Sequence, residues 1–138
     1  MARPTAYEGR RKVIAYAVRS DDSSPGLDFY EGLDRRDKAK LNALFQTLGD
    51  HGEIRNKEKF KKIEETEFFE FKSFQIRMPC FFLPGNLVII THGFWKKKDK
   101  ANPAEIERAR LIKGEDEAAA RKSKKMVRLE GGSKWRKR

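Results

Sequence analysis

Two cationic side chains on neighbouring predicted strands have the chemistry to bind phosphate. Period two sorts the residues of the predicted strands 67–74 and 75–83 onto two faces of a sheet. Lys72 and Arg77 then meet on one exposed face, with the aromatic ring of Phe81 nearby. Such a basic surface with an aromatic ring suits phosphate contact and base stacking on RNA. Ordinary solvated charge on the polar face of a sheet gives the same pattern.

A histidine followed by a lysine cluster is the second chemical feature. His92 lies in an apolar strand, and Lys96, Lys97 and Lys98 follow it within one loop. Imidazole titrates near neutral pH, so a histidine beside a phosphate-binding loop could serve acid–base chemistry. A lone histidine in an apolar strand is more often a hydrogen-bonded structural residue, and a bulge at Gly93 would re-aim the chain. The pattern leaves both alternatives open.

The elements that must position these residues do not alternate between strand and helix. Leu41, Leu44, Phe45 and Leu48 form a helical stripe, and the segment Pro84-Gly85-Asn86 predicts a hairpin turn. The predicted elements are a strand at 12–19, helices at 24–33 and 35–49, a loop or short turn at 53–66, strands at 67–74, 75–83 and 87–95, and a helix from 103 to about 122. This order, β-α-α-β-β-β-α, predicts an α+β fold with a small antiparallel sheet and helices packed on one face.

The charge of the chain is concentrated at its C-terminal end. Lys and Arg outnumber Asp and Glu by 32 to 21, which gives a net charge of +11. Residues 121–138 carry nine Lys or Arg and one Glu, so this segment supplies +8 of that total and residues 1–120 only +3. We therefore expect one domain over 1–120 and a basic, flexible tail over 121–138. Such a tail could find phosphates through counterion release, or it could serve only solubility.

Several function classes are excluded by composition. The longest mostly apolar stretch is about ten residues, short of the roughly 20 needed to span a bilayer, and no apolar signal region follows Met1. The single Cys80 lies among apolar residues and fits a reducing compartment, so we expect a cytoplasmic protein. His51, His92 and Cys80 lack the spacing of a zinc site, and no metal or cofactor is expected.

Four motifs together resemble the RelE/HigB toxin superfamily, which includes the ParE-like toxins. They are Glu70-Phe71-Lys72, then Ile76-Arg77, then Thr91-His92-Gly93-Phe94-Trp95-Lys96-Lys97, and finally Pro103-Ala104-Glu105-Ile106 with Ala109. The similarity covers roughly residues 10–115 and is strongest to the phage-derived, HigB-like branch of type II toxin–antitoxin systems. Each motif alone is weak, but the composite is fairly specific.

The resemblance implies a RelE-like fold and a metal-independent endoribonuclease that cleaves mRNA, in most cases on the ribosome. It implies that Lys72 and Arg77 stabilise the transition-state phosphate and that His92 is the best titratable candidate for base or acid. Lys96 and Lys97, with the neighbouring Lys98, are then candidates to bind phosphate or to act as the general acid. It also implies a cognate antitoxin, typically a helix-turn-helix DNA-binding protein.

The sequence departs from the family pattern at two places. RelE-type enzymes commonly carry a catalytic tyrosine near the C-terminal end, whereas no tyrosine follows Tyr30 here. HigB-type enzymes use a histidine together with a lysine on the segment before the second strand of the fold. In this sequence that segment offers His51 and Lys57, so Lys57 is a further RNA-binding candidate. Two alternatives stay open: a ParE-like toxin that inhibits gyrase by binding, and a non-catalytic nucleic-acid-binding module led by the basic tail.

Overall fold

The structure is a computed structural model that describes residues 2–97 and 102–136, with side chains up to Ser123. It contains three helices: α1 (Pro25–Glu31), α2 (Arg35–His51) and α3 (Pro103–Arg136). Its strands are β1 (Thr5–Glu8), β2 (Val13–Tyr16), β3 (Phe60–Lys62), β4 (Phe69–Ser73), β5 (Ile76–Leu83), β6 (Leu87–Ile90) and β7 (Phe94–Trp95). No helix in these described ranges is long and apolar enough to cross a membrane.

All of these strands belong to one sheet in the order β1-β2-β6-β5-β4-β3, with β7 pairing to β5 beyond the end of β6. The pairs are antiparallel except β2 and β6, which run parallel with Ile14 opposite Val88. The α+β class and the antiparallel-dominated sheet are thus confirmed. The predicted hairpin between β5 and β6 is also confirmed, since Gly85 and Asn86 adopt the positive φ angles that a tight turn requires.

One face of the sheet carries α1 and α2, as the helical stripe predicts. Leu41, Phe45 and Leu48 are buried against Ile76 and Met78 of β5 and their neighbours. Asp34 caps α2 by accepting a hydrogen bond from the Asp37 N–H at 2.8 Å, and Gly52 ends it in the left-handed region. The helix therefore has defined ends and a defined buried face.

The opposite face is partly covered by α3, which corrects the expectation that all helices pack on one face. Ala109 and Ile112 of α3 are fully buried against Phe81 and Ile89, which point away from α2. The spacing of apolar residues on α3 predicted which of its sides packs but not which face of the sheet receives it. The expected open face of the sheet is therefore open only where α3 does not reach, over β3, β4 and the start of β5.

A buried carboxylate fixes α3 to the N-terminal segment. Asp116 is 2% exposed and accepts three hydrogen bonds from Arg3, the shortest at 2.8 Å, and one from the Val18 N–H at 2.9 Å. One residue earlier, Glu115 pairs with Arg19 at 2.6 Å. Buried charges need such partners, so these contacts set where α3 sits on the sheet.

The remaining differences concern short elements and one boundary. Strands β1, β3 and β7 were not predicted separately, and the predicted strand 87–95 is interrupted after Ile90. The C-terminal helix extends to Arg136 rather than to about residue 122. Whether 121–138 acts as a separate mobile tail stays a prediction.

Candidate active site

Strand register places four cationic residues on the open part of the sheet, and we call this group the cationic face. Lys72 of β4 lies directly opposite Arg77 of β5, and Lys61 of β3 lies opposite Glu70, on the same face of β4 as Lys72. Lys96 follows β7 and adds to the positive potential at Lys72. The strand register thus places Lys72 and Arg77 side by side on one face of the sheet, as predicted.

The ammonium group of Lys72 is electrostatically perturbed. Partial burial is the main cause that lowers its pKa, and the positive charges of Lys61, Arg77 and Lys96 lower it further. Glu70 acts in the opposite direction. A lysine with a lowered pKa releases its proton more readily than a lysine in water, which is the condition for acid–base work by this residue.

The guanidinium of Arg77 is held in place by the backbone. Its Nη1 donates to the carbonyl oxygens of Phe74 at 2.7 Å and Ile76 at 2.9 Å. Arg77 is only 9% exposed, so the site is less open than the sequence pattern suggested. Within the described residues, its Nε is the one buried side-chain nitrogen or oxygen atom with no hydrogen-bond partner. An unsatisfied buried donor is costly, and Arg77 is therefore not optimised for stability alone.

A groove of about 990 Å³ continues from the cationic face towards the 53–65 segment. Lys57, Lys61 and Lys96 line it together with the ring of Phe94 and the carboxylate of Glu105. The predicted Lys57 thus lies in the same groove as part of the cationic face. The full lining holds equal numbers of basic and acidic side chains, so the groove is not cationic along its whole length: Arg55, Lys57, Lys61, Lys62 and Lys96 against Glu53, Glu64, Glu65, Glu70 and Glu105. The cations that it shares with the cationic face are Lys61 and Lys96.

His92 lies in the interior rather than at the groove surface. Its ring is 1% exposed and stacks on Phe94 with ring centroids 5.6 Å apart. Nδ1 lies 3.0 Å from the Thr91 hydroxyl oxygen, and Nε2 lies 3.0 Å from a carboxylate oxygen of Glu105. A neutral ring that donates from Nε2 to Glu105 leaves Nδ1 as an acceptor. The Thr91 hydroxyl can donate to Nδ1 only by giving up its 3.2 Å hydrogen bond to the Pro79 carbonyl oxygen.

Burial decides the protonation of His92. Desolvation is the main cause that lowers its pKa, and the hydrogen bond to Glu105 only partly opposes this. Both ring nitrogens contact other protein groups, so the geometry is that of a hydrogen-bonded structural histidine. A catalytic role of His92 stays a prediction. At Gly93, between β6 and β7, a Cβ would lie 2.3 Å from the ring of Phe29, so the packing at this position requires glycine.

The other predicted site residues have different locations. Phe81 is 1% exposed and packs edge-on to Phe68 beneath α3, so its prediction as an exposed stacking ring is wrong. The physical reason is that α3 covers this part of the sheet. Lys97 is exposed beyond β7, whereas Lys98 lies outside the described residues. Phe74 is an exposed aromatic residue on the turn next to Arg77. Trp95 is also exposed, but it pairs with Ile76 and its ring centroid lies 6.2 Å from that of Phe29 of α1, on the other face of the sheet.

Lys61 and Glu105 are the residues that sequence reasoning did not select. Lys61 sits in a lysine-rich polar stretch that shows no strand periodicity, and only its pairing in β3 places it on the cationic face. From the sequence, Glu105 enters only as a member of the Pro103-Ala104-Glu105-Ile106 motif, whereas its position in the first turn of α3 brings its carboxylate to His92. In the described ranges, no three or more His, Cys, Asp or Glu side chains group together so as to hold a metal ion.

Comparison with known proteins gives one family. A family model described as phage-derived protein Gp49-like (DUF891) matches residues 28–113, which is more than half of the chain. This family is associated with RelE-like toxins of toxin–antitoxin systems. A search of curated proteins finds no match. The matched region includes the second half of α1, all of α2, β3 to β7 and the first part of α3, and therefore every residue of the cationic face.

Proposed function

The chain belongs to the Gp49-like family of phage-derived proteins, and we propose that it is the toxin of a type II toxin–antitoxin system that acts as a metal-independent endoribonuclease on mRNA. The family relation supports a toxin-like protein. The observation that carries the proposed activity is the register pair Lys72–Arg77 inside a cationic cluster. Two other members of that cluster, Lys61 and Lys96, line the groove. A protein-binding inhibitor has no need of a preorganised phosphate site.

In the proposed reaction, the 2′-hydroxyl of a ribose gives its proton to a water molecule and attacks the adjacent 3′-phosphate, which forms a 2′,3′-cyclic phosphate as the bond to the 5′-oxygen breaks. Negative charge develops on the phosphorane oxygens, and the 5′-oxygen leaves. Arg77 stays positive throughout, and its fixed orientation stabilises the developing charge without reorganisation. Lys72 donates a proton to the leaving oxygen, a task that its lowered pKa favours. Lys96 and Lys61 hold the phosphates on either side.

His92 contributes to this proposal through Glu105 and β7 rather than by touching RNA. Its ring connects the end of β6 to the first turn of α3 and supports Phe94, which lies opposite Arg77 across the β5–β7 ladder. A direct role as general base would require Thr91 or Glu105 to release a ring nitrogen. We therefore assign His92 to positioning.

The partners follow from the same charge distribution. An antitoxin with an acidic or extended segment would cover the cationic face by charge complementarity and block access of RNA. A helix-turn-helix antitoxin and action on ribosome-bound mRNA are parts of the proposal that come from the family resemblance. The basic segment 121–138 would add non-specific attraction to ribosomal or messenger RNA.

The test is induced expression in a bacterial host with growth and mRNA 5′ ends measured together. We expect wild type to arrest growth and to create new internal mRNA ends, and Arg77→Ala to lose both. The matched control is Arg110→Ala, which removes one positive charge from the exposed side of α3 and keeps the groove intact. Immunoblotting of the three proteins checks that they accumulate equally.

Other outcomes would identify a different function. Growth arrest without new mRNA ends would contradict the nuclease and favour a protein target such as gyrase. Cleavage that survives in Arg77→Ala would remove the cationic face from the mechanism. An absence of arrest, together with RNA binding that is lost when 121–138 is deleted, would favour the nucleic-acid-binding module.

A further inference from the structure

The turn between β4 and β5 has an unusual first residue. Ser73 pairs with Ile76, which leaves Phe74 and Gln75 as a two-residue hairpin loop. Phe74 has a φ of 55°, whereas Gln75 is not among the residues with positive φ. Positive φ at the first loop position alone is the type II′ pattern, in which glycine is the usual residue. A bulky side chain at positive φ is strained, and strain of this kind concentrates at functional sites.

Burial does not explain this choice of residue. The side chain of Phe74 is 79% exposed, the most exposed large hydrophobic side chain among the described residues. It therefore gains little from the hydrophobic effect, which scales with the apolar area removed from water. A glycine or an asparagine would relieve the backbone and expose less apolar surface.

The surrounding structure holds the strained turn in place. The carbonyl oxygen of Phe74 accepts the 2.7 Å hydrogen bond from Arg77 Nη1. The carbonyl oxygen of Gln75 accepts a 2.7 Å hydrogen bond from the backbone N–H of Lys96. Two residues of the cationic face thus fix the backbone that carries the exposed ring.

We propose that Phe74 is a nucleobase-stacking residue, which holds the base of a single-stranded RNA nucleotide next to the phosphate bound by Arg77. This inference rests on the proposed nuclease function. Single-stranded RNA presents a charged phosphate and a flat base at each nucleotide, and Arg77 with Phe74 offers the matching cation and aromatic ring on one turn. Stacking also holds the substrate at the cationic face with little regard to sequence.

The variants separate the ring from the backbone. Phe74→Gly removes the ring, keeps the carbonyl oxygen that Arg77 uses and relieves the positive φ. Phe74→Leu keeps an apolar side chain but no aromatic face, and Phe74→Trp enlarges the aromatic face. The matched control is Leu111→Ala, since Leu111 is an exposed apolar side chain on α3 that does not line the groove.

The probe is a fluorescent single-stranded RNA with every 2′-hydroxyl methylated, so that it binds without being cut, and a matched RNA with abasic nucleotides. We expect Phe74→Gly to weaken binding of the base-containing RNA by about 5- to 150-fold, as loss of one base stack predicts. Phe74→Leu should also bind the base-containing RNA more weakly, while Phe74→Trp and Leu111→Ala should bind it like wild type. On the abasic RNA, wild type and Phe74→Gly should bind equally. Thermal unfolding should show Phe74→Gly no less stable than wild type.

The outcomes distinguish the two levels of the proposal. If wild type cuts and binds RNA but Phe74→Gly and Phe74→Leu bind it equally well, the stacking role is wrong while the nuclease stands. If wild type neither binds nor cuts RNA, both the nuclease function and the stacking role of Phe74 are wrong. If the Phe74 variants lose affinity only for the antitoxin, the ring belongs to a protein interface and the inference is overturned.

Discussion

Replacement of His92 by alanine distinguishes a positioning histidine from a catalytic one. The substitution removes the hydrogen bond to the Glu105 carboxylate, worth about 1.5–3 kcal/mol, and the one to the Thr91 hydroxyl, worth about 0.5–1.5 kcal/mol. It also opens a cavity beside Phe94. We expect a total loss of about 3–5 kcal/mol in the free energy of unfolding, and a melting temperature lowered by roughly 10–20 °C.

The assay measures urea unfolding and the RNA cleavage rate per folded molecule for three proteins. His92→Gln retains one amide donor for Glu105, so it should recover a substantial part of the stability and most of the cleavage. The control is Gln46→Ala, because Gln46 is exposed on α2 and does not line the groove. The assignment of His92 to positioning would be refuted if His92→Ala and His92→Gln were both fully folded and both lacked cleavage. That result would make the imidazole itself necessary for the chemistry.

Three further predictions concern pH and packing. The cleavage rate should decline on the alkaline side at a pH below the ordinary lysine pKa of 10.5, because the pKa of Lys72 is lowered, and the pH–rate profile of Lys72→Arg should lack this decline. The pKa of Glu115 is held at about 2, mainly by its hydrogen bond from Arg19. The stability that the ionised Glu115 contributes to the fold is therefore present above pH 4.5 and lost as the pH falls towards 2. Glu115→Gln should therefore cost about 1–2 kcal/mol at pH 7 and almost nothing at pH 2, measured by urea unfolding at both pH values. Gly93→Ala should lower stability by about 1–3 kcal/mol, because the new methyl group meets the ring of Phe29, and a melting temperature equal to wild type would contradict that contact.

The well-predicted parts of the fold are those with strong local periodicity. The stripe on α2 and the turn at Gly85 depend on neighbouring residues alone, and both appear at the predicted positions. The four-residue strand β1 and the three-residue strand β3 are too short and too polar for a period to show, so tertiary pairing decides them. The parallel pairing of β2 with β6 joins segments far apart in sequence and has no local signal.

The candidate site shows the same division. Alternation along β4 and β5 was sufficient to place Lys72 opposite Arg77, because strand parity is a local property. The same alternation placed Phe81 on that face correctly but could not show that α3 buries it. The unusual φ of Phe74 was also hidden, since the sequence around it carries no glycine or proline to mark a turn.

The contact between Arg3 and Asp116 has a consequence for the order in which the chain assembles during its own synthesis. The two residues are 113 positions apart, and Val18, which donates to the same carboxylate, is 98 positions from it. A nascent chain can form the local β3 to β6 meander early, but the N-terminal segment has no carboxylate to bind until Asp116 has left the ribosome. Because this anchor is encoded 113 positions after Arg3, the N-terminal segment and α3 lock together late in the translation of residues 1–116. A prematurely ended product would carry the cationic face without the contacts that lock α3 beside it.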